Sequence, residues 1–248
     1  MLVDVHCHLD YPEFDSDLDE VVARAGDTII VNSIVQPGGV EKGLGLAERY
    51  ENVYCTLGLT ASDLDEGRFR ETVRLLRQHR DRIVGLGEVG LDYYWVKDDE
   101  GRRAERAHFA EFARLSGELG LPLVVHSRDA EADCINILGE LKTRAVMHCF
   151  SGTTEDALKA VELGCLISIP ANVTYVKGRQ RLVEALPLDA LVLETDAPYL
   201  SPLRGRRNEP GNVRAGAEKV AEIKGLDVTE VEEATTRNAL GFLKIKDG

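Results

Sequence analysis

The chain has 248 residues, 44% of them hydrophobic and 29% charged, which is ordinary globular usage and excludes disorder, a collagen-like repeat and a membrane-spanning bundle. A formal net charge of −13 excludes the broad basic surface of a protein that coats nucleic acid, although it leaves room for a small polyanionic contact. Five cysteines, odd in number and without a C-x-x-C pair, exclude a disulfide framework and a zinc ribbon. The first ten residues lack a basic stretch followed by a long apolar run, so a cytoplasmic location without membrane contact is expected. No protein partner is readable.

Eight short apolar runs recur in chain order, at Leu2–Val5, Thr28–Asn32, Val53–Leu57, Ile83–Gly87, Pro122–Val125, Ala145–Met147, Leu166–Ile169 and Ala190–Leu193. Amphipathic stretches lie between most of them, among them Asp17–Ala25, Arg68–His79, Arg103–Leu119, Thr154–Leu163 and Arg179–Leu186. Such alternation predicts βα units and a parallel sheet. Eight units in a chain of this length predict an α/β fold of TIM type, a (β/α)8 barrel forming a single domain over residues 1–248. Two further helices are expected within Gly211–Phe242.

The first run leads into His6-Cys7-His8. Alternation along a strand turns both imidazoles to one side, roughly 6.6 Å apart, and Cys7 to the other. Four more strand ends deliver metal-ligand types: Glu88 after the fourth run, His126 after the fifth, His148 after the sixth and Asp196 after the eighth. The carboxyl end of a parallel barrel is where active sites form, and four of the six histidines collect there. His79 and His108 lie in helical stretches and read as solvated. Six ligands exceed the needs of one tetrahedral ion, so two divalent ions about 3.5–4 Å apart, sharing a carboxylate, are expected. A pair of that kind activates water for hydrolysis. Zinc, manganese and magnesium all remain open as its metal. By parity Asp4 and Glu194 should point inward, one layer below the ligands.

Several motifs together, His6-Cys7-His8, Gly87-Glu88-Val89-Gly90-Leu91-Asp92-Tyr93-Tyr94, His126-Ser127-Arg128, His148-Cys149-Phe150-Ser151-Gly152 and Glu194-Thr195-Asp196-Ala197-Pro198-Tyr199, resemble those of the TatD family of metal-dependent deoxyribonucleases. The likeness runs in order through Arg204-Gly205-Arg206-Arg207-Asn208-Glu209-Pro210 and implies an amidohydrolase-like barrel. It implies that His6, His8 and Asp196 hold one ion, that His126 and His148 hold the other, and that Glu88 joins them. It further implies catalytic roles for Glu88 and for Asp196 as a proton shuttle. Thr60-Ala61-Ser62 stands where the family commonly has a His-Pro-His-like stretch, so one expected substrate contact is missing.

Substrate contacts are expected from Arg128 as a phosphate fork, from Arg206 and Asn208 in the basic loop after the last strand, and from Tyr93 as a stacking ring. Arg128 reads equally as half of a structural salt bridge, and Tyr93 or Tyr94 as core. The expected activity is divalent-metal-dependent phosphodiester hydrolysis, removing nucleotides from single-stranded DNA ends. The alternatives are an ester or amide hydrolase for a small metabolite or an aminoacylated RNA end, and a non-catalytic nucleic-acid or partner-binding barrel.

Overall fold

The structure, a computed structural model, describes residues 1–243 and Ile245. Eight strands, β1 (Val3–Cys7), β2 (Ile29–Ile34), β3 (Val53–Leu57), β4 (Gly85–Asp92), β5 (Leu123–Arg128), β6 (Ala145–Met147), β7 (Leu166–Pro170) and β8 (Leu191–Glu194), alternate with helices. These are α1 (Leu18–Ala25), α2 (Val40–Arg49), α3 (Glu66–His79), α4 (Asp99–Leu119), α5 (Glu131–Leu141), α6 (Thr154–Glu162), α7 (Lys177–Ala185) and α8 (Val213–Lys224), with α9 (Val228–Phe242) added at the end. The strands form one parallel sheet in sequence order. Its two edges meet where Asp196 N donates to His6 O at 2.9 Å and His8 N donates to Ala197 O at 2.8 Å. The expected single-domain (β/α)8 barrel is the observed fold. Among the described residues, no helix is long and apolar enough to cross a membrane.

Every strand expected from the apolar runs is present, and most extend past their runs. β1 continues to Cys7, β4 to Asp92 and β5 to Arg128, so His6, Glu88 and His126 lie inside strands rather than after them. In β1 and β4 three residues span the distance that the neighbour covers in two, between Asp4 and Cys7 and between Leu86 and Val89. A bulge of this kind re-aims side chains and is a recurrent device beside active sites. It also overturns the parity expected for Asp4. Asp4 is buried, but its carboxylate accepts from Thr195 N at 2.8 Å and Thr195 Oγ1 at 2.5 Å, tying β1 to the segment after β8.

Leu57, Leu86, Leu91, Leu123, Phe109 and Phe112 belong to the thick apolar layer between sheet and helices. The barrel interior is lined lower down by Val31, Val124, Val146 and Val192, joined by Val3 and Val5 and closed by Ala239 and Leu243. Burial of each such side chain stabilises the fold by about 1.5–3 kcal/mol. Gly90 is required where β4 presses on β5: its φ is +149°, and a Cβ there would collide with the His126 carbonyl. α4 starts four residues earlier than its apolar pattern indicated, because Asp98 caps it by accepting from Gly101 N at 2.8 Å.

Candidate metal centre

The carboxyl ends of β1, β4, β5, β6 and β8 converge at the mouth. His6 Nε2 lies 3.2 Å from His8 Nε2, 3.2 Å from Glu88 Oε2 and 3.7 Å from Asp196 Oδ1. His8 Nε2 is 3.5 Å from Asp196 Oδ1 and 3.9 Å from Glu88 Oε2. The other oxygen of Glu88 faces the opposite way, with Oε1 2.8 Å from His126 Nδ1. His148 stacks on His6 at a centroid distance of 3.6 Å and brings Nε2 to 4.0 Å from Asp196 Oδ1. All six residues expected as ligands thus share one cluster, in overlapping triads of His6, His8 and Glu88, of Glu88, His126 and His148, and of His6, His148 and Asp196.

The outer hydrogen bonds show what this cluster can hold. His8 Nδ1 is 3.1 Å from Ser33 O, a carbonyl that can only accept, so Nδ1 carries the proton and Nε2 turns a lone pair inward. His148 Nδ1 likewise faces Glu194 Oε2 at 2.9 Å, leaving Nε2 to the centre. A carboxylate behind a histidine fixes its ring and raises its basicity as a ligand. His6 differs in that its Nδ1 is buried without a hydrogen-bond partner among the described residues. Imidazole lone pairs and two carboxylates aimed at one buried space repel one another unless a cation lies between them. The donor set therefore fits divalent ions that accept both nitrogen and oxygen.

Proton equilibria carry the same imprint. Burial opposes a charge on Glu88, yet His126 and His6 hold its carboxyl well below the usual range. Burial also opposes a charge on His126 and His148. Glu88 and Asp92 nevertheless lift His126 to about 10, while Glu194 and Glu88 lift His148 to about 9. His6 moves the other way, lowered by burial and by the neighbouring His148. Protons thus take the place that cations would fill.

A cavity of about 360 Å³ opens onto Asp196, His126 and His148 and is walled by Arg128, Arg179 and Ser151. Of the residues expected to touch substrate, Arg128 is there. Asn208 is not: it is 0% exposed, donates from Nδ2 to Thr195 O at 2.8 Å and accepts from Glu209 N and Asn212 Nδ2. It pins the loop after β8, and the expected substrate contact is corrected to a structural one. Tyr93 also lies outside the wall of this cavity. Its hydroxyl donates to Asp133 Oδ2 at 2.5 Å and accepts from Arg106, and its ring lies under Arg102, so it joins α4 to α5. Arg206 is exposed on the loop, outside the wall of this cavity. Its neighbour Arg207 is committed to Asp17 and Glu209. In the replaced stretch, Thr60 Oγ1 donates to Val35 O at 3.3 Å.

Two residues escaped the sequence reading. Asp92 Oδ2 lies 2.9 Å from His126 Nε2, a partner hidden because its motif reads as the preface to an aromatic pair. Arg179 follows the apolar pattern of a surface helix, yet its guanidinium turns to Cys149 Sγ at 3.0 Å and to Asn172 Oδ1, with no salt bridge among the described residues. The backbone of Cys149 and of Asp196 adopts left-handed φ values of 48° and 55°, conformations that non-glycine residues keep mainly where surrounding structure enforces them.

The profile of TatD-related DNases matches residues 3–244. An uncharacterized metal-dependent hydrolase of Methanocaldococcus jannaschii is 38% identical over 246 residues, which are 98% of this chain and 96% of that protein. The human deoxyribonuclease TATDN3 is 36% identical over 255 residues, covering 96% of this chain and 93% of its own. Among solved structures, the TatD homologue YJJV of Escherichia coli k12 matches with a TM-score of 0.89 at 26% identity, over 99% of this chain and 98% of that one.

Proposed function

The chain belongs to the TatD-related DNase family of metal-dependent hydrolases, and from that membership we propose that it is a deoxyribonuclease that removes nucleotides from single-stranded DNA ends. The observation that carries this reading is Glu88, whose two oxygens address separate histidines within a cluster of six ligand types. Two ions are the best match to that arrangement: His6, His8 and Asp196 would hold one, His126 and His148 the other, with Glu88 between. Zinc or manganese suits this nitrogen-rich set better than magnesium, which favours oxygen. Such ions supply Lewis-acid activation of water and of phosphoryl oxygen when bound.

The chain's own residues do the rest. Asp196 borders the cavity and is positioned to take the proton of the attacking water. As the new P–O bond forms and the bond to the leaving sugar oxygen breaks, that proton passes to the leaving oxygen. Burial opposes its charge, but His8 and His148 hold its carboxyl below the usual range, so it starts as the base. Arg128 and Arg179 flank the cavity with guanidinium groups suited to phosphate. With a net charge of −13 there is little else to attract a long polyanion, which favours gripping an end over tracking a duplex.

One assay separates the readings. Metal-loaded protein is offered end-labelled single-stranded DNA, closed circular DNA, and a panel of small esters and amides. Stepwise shortening of the single strand, with the circle intact, is expected. Cleavage of an ester or amide with DNA untouched would replace the nuclease with a metabolite hydrolase, and inertness towards every substrate would favour the binding-protein alternative.

A further inference from the structure

We propose that Trp95 is a stacking platform for an unpaired nucleobase at the end of the strand being hydrolysed. The inference rests on the phosphodiester reading above and names what lies beside the phosphate. Trp95 is the only tryptophan of the chain, and it is 66% exposed. Among the described residues, four of the seven exposed large apolar side chains stand at the mouth: Tyr94 and Trp95 after β4, and Tyr199 and Leu203 after β8. An acidic protein whose other aromatic side chains are buried or half-buried thus exposes three, Tyr94, Trp95 and Tyr199, beside its cluster of metal-ligand types.

The platform is built rather than loose. Trp95 meets Tyr94 edge to face, with centroids 4.9 Å apart and an interplanar angle of 87°. The Arg128 guanidinium covers the Tyr94 ring at 3.6 Å while also walling the cavity that holds Asp196. Asp92 fixes both parts: Oδ1 accepts from Tyr94 N at 3.0 Å and from Trp95 N at 3.1 Å, and Oδ2 engages His126 Nε2 at 2.9 Å. One carboxylate therefore sets the aromatic turn and a candidate ligand in a common frame.

The chemistry selects the occupant. An indole face has no hydrogen bonds to offer and binds any flat π-surface, and the neighbouring guanidinium suits the adjacent phosphate. A base within a duplex is already stacked on both sides, so only an unpaired or frayed base can take this place. Preference for single-stranded ends would then come from Trp95 and not from the reacting centre.

The single tryptophan makes the test direct. Metal-loaded protein is titrated with a phosphorothioate-linked oligonucleotide and with the same oligonucleotide carrying abasic residues at its end, while tryptophan fluorescence is followed. Quenching by the base-bearing oligonucleotide alone is expected. In hydrolysis, Trp95→Ala should raise KM for base-bearing DNA about ten- to a hundredfold, leave kcat and the abasic substrate within about twofold, and be largely rescued by Trp95→Phe. Equal quenching by both ligands, no quenching, or an equal loss on both substrates would overturn the inference. Should the protein hydrolyse no phosphodiester at all, the nuclease reading fails separately, and the fluorescence titration still decides whether Trp95 stacks on a base.

Discussion

Along four barrel strands a step of two residues separates an apolar side chain from a polar one: Val31 from Ser33, Val124 from His126, Val146 from His148 and Val192 from Glu194. Below that step the valines pack against one another and against α9. Above it, histidines and carboxylates face one another across distances of 2.8–4.0 Å. The floor is complete in itself, since burial satisfies everything a valine has. The mouth is incomplete, because its lone pairs and charges are balanced only by protons or by a cation. Stability and chemistry are thus stacked in separate layers of one sheet, and each layer should answer to a different perturbation.

Removing metal should produce the largest split between the layers. Chelation is expected to abolish hydrolysis, a loss on the order of a thousandfold or more, with recovery when a divalent ion is returned. The barrel itself should remain folded by circular dichroism. Full activity in protein shown metal-free by elemental analysis would end the metal mechanism. The metal-free protein should also carry a pH signature. His126 and His148 are lifted to about 10 and about 9, so their contribution to stability is fully present below the unfolded imidazole value of about 6.5 and is lost as pH rises through about 9 to 10. Thermal melts should therefore fall across that alkaline window. Metal affinity should change in the opposite sense, strengthening with pH as the competing protons leave. A flat melting profile in metal-free protein would show that these imidazoles are not held charged.

Within the mouth, Asp196→Asn removes the proposed proton acceptor while keeping an oxygen that can face the centre. kcat should fall about a hundred- to ten-thousandfold, with a smaller change in substrate affinity. Retention of kcat alongside weakened metal binding would reduce Asp196 to a ligand alone.

How much of this was legible in the sequence also divides by layer. The floor and the helical layer were readable, because apolar runs of strand length and helical periodicity report burial directly. The six cluster residues were readable too, since they are rare types placed at strand ends. The geometry around them was not. Strand parity assumed an unbroken pleat, whereas bulges in β1 and β4 shift the phase at the residues that matter, Asp4 and Glu88. Asn208 read as a contact because its basic stretch follows the strand that leads to Asp196 and falls within the family resemblance. Its burial depends on a hydrogen bond to Thr195 O, thirteen positions earlier in the chain, that no local pattern encodes. Asp92 and Arg179 were missed for the same reason: their partners are supplied by β5, the turn after β6 and the segment after β7, not by their own neighbours.

Glu194→Gln tests the boundary between the layers. Glu194 is fully buried, one step above Val192, and among the described residues it hydrogen-bonds to the centre only through His148 Nδ1, at 2.9 Å. The amide can still accept from that imidazole but no longer offers a charge. Metal affinity or activity should fall about 10–100-fold, less than for Asp196→Asn, because the ligand set stays intact. A loss as deep as that of Asp196→Asn would mean that Glu194 itself reaches the reacting atoms.

The smallest effect on chemistry is expected from the floor. Val146, on β6, is fully buried and lies two residues before His148, which follows the strand, so Val146→Ala removes two methyl groups almost directly beneath a candidate ligand. The void should cost about 1–3 kcal/mol of stability, read as a shift of the denaturation midpoint with an unchanged slope. Metal affinity and kcat should nonetheless remain within about twofold, because His148 is positioned by other contacts. Its N–H donates to Val125 O at 2.9 Å, its ring stacks on His6, and its Nδ1 is held by Glu194. None of these passes through the Val146 side chain. The measurement is a metal titration and a rate on the same variant whose denaturation curve is recorded, under conditions where the folded state is saturated. If metal affinity fell in proportion to the lost stability, the valine packing would be setting the ligand geometry, and floor and mouth would be one mechanical unit.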